Sequence, residues 1–573
     1  MQTTIQEILK KALAKLASKG MVPGEQMPEI PVERPKVEEF GDFGTPLPLV
    51  LAKQLRRSPK ECATMLLDAM EHRSDLFDKI EFAPPGYINF TVKKEAWFGQ
   101  LKHILDEPQT YGNSNVGGGE RVLIEFVSAN PTGPLHVGHA RGAVVGDALA
   151  RVMKAAGYDV STEYYINDVG NQIATFGLSV WARAREALGL QKEADFPENG
   201  YRGDYVRDIA LSLLRQKDYE ALFTKPYEEL GKTDKNPITE YAKQGMLKQI
   251  KEDLDVLGVS FDLWFPESSL HERGLVTQLA ENLVQMGKAY KDERGALLFA
   301  MEGEEEKDRV IIRANQVPTY FASDIAYHVD KFSRGFSRLI NIWGADHHGY
   351  IPRVKKALEV LGYDPRRLEI LLVQMVSLTR GGQVIPMGKR TGEFVTLRQL
   401  VDEVGKDAVR FTFLLRKSDA QMEFDLDLAK SQTLENPVFY VQYGHARVAS
   451  IMRKASAIGA TSTDHVDKAC KHLVLPEEVK IAKELGMFPF VLSSSASRRE
   501  PHHIAFYLLD LAKLFHSYYT KYRHTEKVIT KDMDKTEARL LLVECVRRVL
   551  ARGLELLGVG APEEMHIEEA EDE

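Results

Sequence analysis

The sequence predicts a multidomain α/β protein, with a parallel-sheet unit in the middle, a small α+β module before it and an all-helical unit after it. Three observations predict this. The chain has 573 residues, about twice the ~250–300 at which a single hydrophobic core stops growing. Residues 120–425 alternate short apolar strands with amphipathic helices, which is the pattern of βαβ units around a parallel sheet. From residue 436 onward strand signals stop and helical periodicity takes over.

The elements follow in order. Ile5, Ile8, Leu9, Leu13 and Leu16 recur at helical spacing, so residues 3–18 are predicted as a helix with these side chains inward. A proline-rich stretch, 23–35, breaks it, and residues 47–55 form a second helix. Pro84, Pro85 and Gly86 make a turn into a strand ending at Val92. This first module spans residues 1–105, and Gly117, Gly118 and Gly119 after it read as a flexible joint. The central unit, 120–425, begins with a strand over 122–127. A helix follows over 140–156, ended by Gly157, and then a strand over 160–166. Further on, strands are predicted over 339–343 and 368–376, with a helix over 352–361 between them. The charged stretch of about 180–310 reads as an insertion. In the last unit, 436–573, Leu508, Leu511, Leu514 and Phe515 form one helical stripe and residues 540–557 another. Residues 566–573 are an acidic tail expected to be disordered.

Composition narrows the class. The chain is 44% hydrophobic and 28% charged, as in soluble globular proteins. No run approaches the ~20 apolar residues of a membrane span, and the N-terminal residues lack a basic segment followed by an apolar run. No membrane partner and no signal peptide are therefore expected. Cys62, Cys470 and Cys545 are scattered without disulfide or zinc spacing, so a reducing cytoplasm is the expected location and no resident metal site is predicted. The net charge of −8 speaks against a chain that coats nucleic acid, yet a local positive path to RNA would satisfy the same total.

Two segments carry chemistry. Residues 128–139 (Ser-Ala-Asn-Pro-Thr-Gly-Pro-Leu-His-Val-Gly-His) join a predicted strand to a predicted helix. Such a junction points backbone N–H groups and the positive end of the helix dipole above the sheet. His136 and His139 lie three apart on the first turn and face one way, placed to donate to charge growing on a phosphate. Gly138 between them lets a ligand approach. Two surface histidines at a helix start would read the same way, whereas a metal pair lacks a third ligand at the right spacing. The second segment, 385–392 (Ile-Pro-Met-Gly-Lys-Arg-Thr-Gly), places Met387, Lys389 and Arg390 on a glycine-flanked loop suited to closing over a triphosphate. A solvated basic loop is its plain alternative.

Together these segments resemble the two signatures of class I aminoacyl-tRNA synthetases, His-Ile-Gly-His and Lys-Met-Ser-Lys-Arg. Val137 replaces the isoleucine of the first. In the second, Pro386 replaces the first lysine and Gly388 the serine, while Lys389 is kept. Other segments look like the arginyl enzymes of bacterial type: 125–131, 167–172, 320–324, 344–348, 394–397, 407–411 and 556–565. The resemblance implies a Rossmann-like catalytic domain, an N-terminal module touching the tRNA elbow and a helical anticodon-binding domain. It implies a ligase that activates arginine with ATP and Mg²⁺, charges tRNA(Arg) for protein synthesis and works as a monomer. It also assigns roles. The positions of Glu125, Tyr320 and Asp324 grip the arginine side chain, and that of Asn130, beside His136, holds its backbone groups. Gly138, Asp346, Met387, Lys389 and Arg390 serve ATP with the two histidines, with His136, His139 and Lys389 the catalytic set. Tyr519 and Met565 touch tRNA. Arginyl enzymes lacking the signature lysine carry a compensating lysine near the place of Gly133, so Gly133 and Lys389 agree with each other.

The chemistry agrees independently. A guanidinium is planar with five donors and is best read by carboxylates. Glu125 ends a predicted strand, where open α/β sheets bind ligands, and Asp324 follows Tyr320 by one helical turn. Without the resemblance, Glu125 as a buried ion-pair partner and Asp324 as a helix-surface acid would be the simpler readings. Aromatics interleave with cations over 515–524, which suits either splayed bases or a core stripe beside a solvated face. A small-molecule adenylating enzyme and a non-catalytic tRNA-binding relative remain as other functional readings.

Overall fold

The computed structural model describes residues 1–23, 28, 30–71, 73–231, 234–301, 308–385, 395–462 and 465–566. Its centre is a five-stranded parallel sheet. The strands are β1 (Arg121–Glu125), β2 (Asp159–Ile166), β3 (Leu263–Pro266), β4 (Arg338–Gly344) and β5 (Leu368–Val373). They lie in the order β5-β4-β1-β2-β3. Two helices matter most: α1 (Val137–Ala155), between β1 and β2, and α2 (Tyr320–Ser333), before β4. The chain winds to one side of β1 through β2 and β3, then to the other through β4 and β5. The crevice at the carboxyl ends of β1 and β4 is therefore the place where an open sheet of this kind takes a ligand.

Both faces of the sheet are covered, which explains the nearly continuous apolar runs of its strands. Along β1 the side chains alternate. Val122 and Ile124 enter the large core shared with α1, and Leu123 enters a smaller one with Phe332, Leu339 and Leu368. The predicted helices over 3–18, 47–55, 140–156 and 352–361 appear as Gln2–Ser18, Leu47–Leu55, α1 and Ile351–Val360. Ile5, Ile8, Leu9, Leu13 and Leu16 are all buried.

Three expectations need correction. The run 368–376 is two strands, not one: β5 stops at Val373, and Val376–Arg380 joins a separate sheet with Gln383–Val384 and Met422–Asp425. The break falls where Gln374 gives its N–H to Ser418 and its carbonyl to Arg141, a tertiary exchange that no apolar pattern encodes. Next, Leu263–Pro266 lies within the stretch read as an insertion yet forms edge strand β3. Its four residues are too few to show a period. Finally, the glycines of 117–119 are no loose joint. Gly117 and Gly119 donate to the carbonyls of Ala156 and Gly157, both at 2.8 Å, and a Cβ on Gly117 would sit 2.5 Å from Tyr158. Close approach is what requires glycine there.

The N-terminal module has its own antiparallel sheet, with Tyr87–Val92 between Phe43–Thr45 and Phe77–Ala83. Its core takes in Met487 of the helix Pro476–Arg498, and Arg34 pairs with Glu484 of that helix at 2.9 Å. The C-terminal unit is built on Pro437–Ala457, Pro476–Arg498, His502–Tyr522 and Met533–Leu556. Leu508, Leu511 and Phe515 are fully buried in it, with Leu514 at the edge of the core.

One buried cation ties these pieces together. Arg410, fully enclosed, donates through Nε to the carbonyl of Leu557 (2.8 Å) and through Nη1 to that of Leu257 (3.1 Å). Its Nη2 pairs with Asp147 of α1. A Cβ on Gly558 would fall 2.3 Å from this guanidinium, and Gly558 has φ +69°, so glycine is needed there on both counts. Arg410→Met leaves Asp147 with only Arg151 and strands two carbonyls. It is expected to cost near the low end of the roughly 3–5 kcal/mol for breaking a buried pair. A thermal unfolding midpoint equal to the unaltered protein's would contradict this.

Candidate active site

The loop after β1 is strained and stapled. Val127 (φ +69°) and Ser128 (φ +40°) occupy the left-handed region, unusual for a β-branched residue. Each such position costs about 1–3 kcal/mol and persists only where neighbours over-determine it. Here Ser128 Oγ donates to Glu125 (2.8 Å) and accepts the N–H of Tyr165 (3.1 Å), while the Tyr164 hydroxyl donates to the carbonyl of Ala129 (2.7 Å). Asn130, next along, hydrogen-bonds Gln172 at the start of the helix Asn171–Ala187.

The loop ends at His136, the N-cap of α1. Its Nδ1 accepts the N–H of Gly138 (3.1 Å), and its own N–H donates to Nδ1 of His139 (3.2 Å). The two rings stack with centroids 3.7 Å apart. Since both Nδ1 atoms accept from the backbone, both imidazoles carry their proton on Nε2, and the pair presents N–H donors rather than bases. A Cβ on Gly138 would lie 3.0 Å from the His136 ring, so glycine lets that ring fold over the helix start.

Residues 386–392 of the second segment, with Met387, Lys389 and Arg390, lie outside the described residues. Its downstream neighbours are described and reach the first segment. Leu397 donates to the carbonyl of Leu135 (2.7 Å), Val137 donates to that of Val395 (3.3 Å), and His136 pairs with Thr396 in a β-bridge. The fold thus brings the exit of that loop beside the histidines.

At the carboxyl end of β1, Glu125 is buried and meets Lys331 of α2 at 2.5 Å. Asp324 lies on the same helix, one turn after Tyr320. Its Oδ1 is 3.4 Å from Nδ1 of His328. Its Oδ2 is buried and has no hydrogen-bond partner among the described residues. Phenols and another acid crowd this spot. Burial, with Glu267 and Asp324 close by, raises the pKa of Tyr165, and burial with Asp324 and Tyr320 nearby raises that of Tyr350. A cluster of carboxylates and un-ionised hydroxyls around an unsatisfied buried oxygen suits a cation with several N–H donors.

Asp346 stands in the turn Ala345–Tyr350 just past β4, mostly exposed, and makes no helix cap. Tyr519 and Met565 line one surface recess of about 330 Å³ with Tyr443, Arg447 and Lys454. Arg447 lies over the rings of Tyr443 (4.6 Å) and Tyr519 (5.0 Å). The rest of the 515–524 segment divides. Phe515, His516 and Tyr518 are buried, and Lys521 and Tyr522 are tied to Glu477. Sequence reading passed over Ser128, Tyr165, Glu267, His328, Lys331, Asn341 and Tyr350. The one available signal was the polar series Tyr320, Asp324, His328, Lys331 at helical spacing along α2.

Comparison with known proteins covers nearly the whole chain. Residues 3–92 match the arginyl tRNA synthetase N terminal domain, 100–425 the class I (R) tRNA synthetase catalytic domain and 441–565 the DALR anticodon binding domain. The arginine–tRNA ligase of Syntrophotalea carbinolica is 45% identical over 568 residues, covering 99% of this chain and 100% of that one. That of Moorella thermoacetica is 44% identical over 559 residues, covering 97% and 98%. Among solved structures, Thermus thermophilus arginyl-tRNA synthetase superposes with a TM-score of 0.75 at 25% identity, over 98% of this chain and 100% of its own. The Plasmodium falciparum arginyl-tRNA synthetase, at 15% identity and a TM-score of 0.68 over 98% and 99%, shares the fold. With the class I sheet, the paired histidines at its crevice and relatives of this identity over full length, the chain belongs to the arginyl-tRNA synthetases.

Proposed function

We propose that the chain performs its family's reaction, activating L-arginine with ATP and transferring it to the 3′ end of tRNA(Arg), through the residues gathered at the β1–β4 crevice. The observation that carries the assignment of residues is the unpartnered buried oxygen of Asp324 within a ring of acids and phenols. Asp324, Glu125 and Tyr320 read the guanidinium, and Asn130 and His136 hold arginine's backbone groups. ATP lies over the start of α1, against His136, Gly138 and His139, with Asp346 at the ribose and Met387, Lys389 and Arg390 closing over the phosphates. Mg²⁺ comes with ATP as its counterion, and no protein carboxylate is assigned to it.

Arginine's carboxylate attacks the α-phosphate in line. The P–O bond to the β-phosphate breaks, and pyrophosphate leaves towards Lys389. The Nε2–H groups of His136 and His139 meet charge as it grows on the phosphate oxygens, so the gain is in positioning and electrostatics, without a covalent enzyme intermediate. The 2′-hydroxyl of the terminal adenosine then attacks the activated carbonyl, and AMP departs. The helical unit holds the anticodon through the recess of Tyr519 and Met565, where aromatics beside Arg447 and Lys454 suit splayed bases and phosphates. The N-terminal module reaches the tRNA elbow. Work as a cytoplasmic monomer completes the proposal.

Three measurements check this. Charging of total bacterial tRNA, with each of the twenty amino acids in turn, is expected with arginine alone; charging with another amino acid would defeat the proposal. Asp324→Asn should raise KM for arginine by the roughly 1.5–3 kcal/mol of a charge-assisted bond, with KM for ATP unmoved. His136→Ala should slow adenylate formation roughly 10²–10³-fold, as for a lost transition-state donor. A near-normal rate in that variant would remove His136 from the catalytic set.

A further inference from the structure

Glu125 and Asp324, the two acids proposed to grip arginine, are linked by buried polar contacts that run from the Glu125 carboxylate to the backbone carbonyl of Asp324, with the Asp324 carboxylate 3.4 Å from the last member, His328. Lys331 Nζ donates to Glu125 Oε2 at 2.5 Å and to Asn341 Oδ1 at 3.1 Å. Asn341 Nδ2 contacts Nε2 of His328 at 2.9 Å. His328 Nδ1 lies 2.8 Å from the carbonyl oxygen of Asp324 and 3.4 Å from its Oδ1.

The direction of every bond follows from Lys331, which can only donate. Asn341 must turn its oxygen to the ammonium, and its amide N–H then points at His328. His328 Nε2 must accept, so its proton sits on Nδ1 and is donated to the backbone carbonyl of Asp324, beside that residue's carboxylate. No member has a second arrangement that satisfies all the others.

Water cannot replace these bonds, because Lys331 and Asn341 are 0% exposed and His328 is 1% exposed. The scaffold holds both ends. Asp324, His328 and Lys331 follow at i, i+4 and i+7 on α2, while Asn341 on β4 stands directly opposite Glu125 on β1 in the sheet register. The ring of Tyr327 fixes the ammonium from below, with its centroid 4.1 Å from Nζ.

We infer that His328, Asn341 and Lys331 are positioning residues for arginine recognition, setting the separation and orientation of the two carboxylates that read the guanidinium. The inference rests on the assignment of Glu125 and Asp324 to arginine. It assigns the three residues to the affinity for one substrate. A group that merely holds the fold would disturb arginine, ATP and tRNA alike.

The test is a double-mutant cycle on the full chain, read by aminoacylation kinetics. His328→Leu and Asn341→Leu each cut the chain of bonds. Each should raise KM for arginine about tenfold, with kcat at saturating arginine and KM for ATP and tRNA within about threefold. Because both cut the same chain, the double variant should stay near tenfold and not approach a hundredfold. His328→Gln, which keeps one acceptor and one donor, should return KM for arginine to within about threefold of the unaltered chain. An unchanged arginine KM in either leucine variant, a parallel rise in KM for ATP, or multiplicative effects in the double variant would each overturn the inference. If the leucine variants fail to fold, His328→Asn, polar but too short to bridge, must show the same selective rise in arginine KM. Asp324→Asn separates the two levels. If it leaves arginine KM unmoved, the assignment of the pocket itself falls. If it raises KM while the cut chain does not, only the positioning role falls.

Discussion

A carboxylate buried at the end of a strand is tolerated only beside a compensating charge, and in this molecule the carboxylate of Glu125 and the ammonium of Lys331 meet that condition for each other. Either alone would cost several kcal/mol. Because Lys331 lies on α2, the pairing fixes that helix against β1 and β4, where Lys331 meets Glu125 and Asn341. Asp324 and Tyr320 then fall about two and about three turns nearer the start of the helix. The apolar faces of α2 fill two cores, through Ile325 and Ala326 on one side and Phe332 on the other.

The same carboxylate organises the loop that follows. Ser128 reaches Glu125 from a left-handed backbone position, and this bond, with the N–H of Tyr165, offsets the strain of two residues that ordinarily avoid that conformation. The loop then delivers His136 to the N-cap of α1. That helix is held at its far side by Arg141, which donates to the carbonyls of Gln374, Lys417 and Ala420, and by the pair of Asp147 with Arg410. Burial lowers the pKa of Arg141 to about 10, still far above neutrality, so it stays charged. The histidines are therefore registered both to the Glu125 end of β1 and to the end of the last helix.

Much of the architecture was legible. Ile5 to Leu16 and Leu508 to Phe515 showed helical faces because each lies on a long element with one apolar stripe. Glu125, Tyr320 and Asp324 were named because their segments resemble those of the arginyl enzymes; strand end and helix spacing alone agreed equally well with a buried ion pair and a surface acid. Elsewhere local pattern ran out. The run 368–376 is apolar throughout and carries no mark at Gln374. Leu263–Pro266 is too short to declare a period. The aromatics of 515–524 suited either a base-stacking surface or a core stripe, and Phe515, His516 and Tyr518 face the core, since a helix shows its faces only once its neighbours are known.

By itself the sequence determined the order of units, several of the helices and four of the five strands of the central sheet, because these depend on residues close together in the chain. Tertiary structure alone decided how Glu125, Lys331, Asn341, His328 and Asp324 connect. Lys331 and Glu125 are 206 residues apart, and Asn341 meets Glu125 only through the parallel register of β4 on β1. A buried polar side chain reads in sequence like any exposed one. What distinguishes it is the absence of water and the identity of its partner, and both are properties of the folded chain.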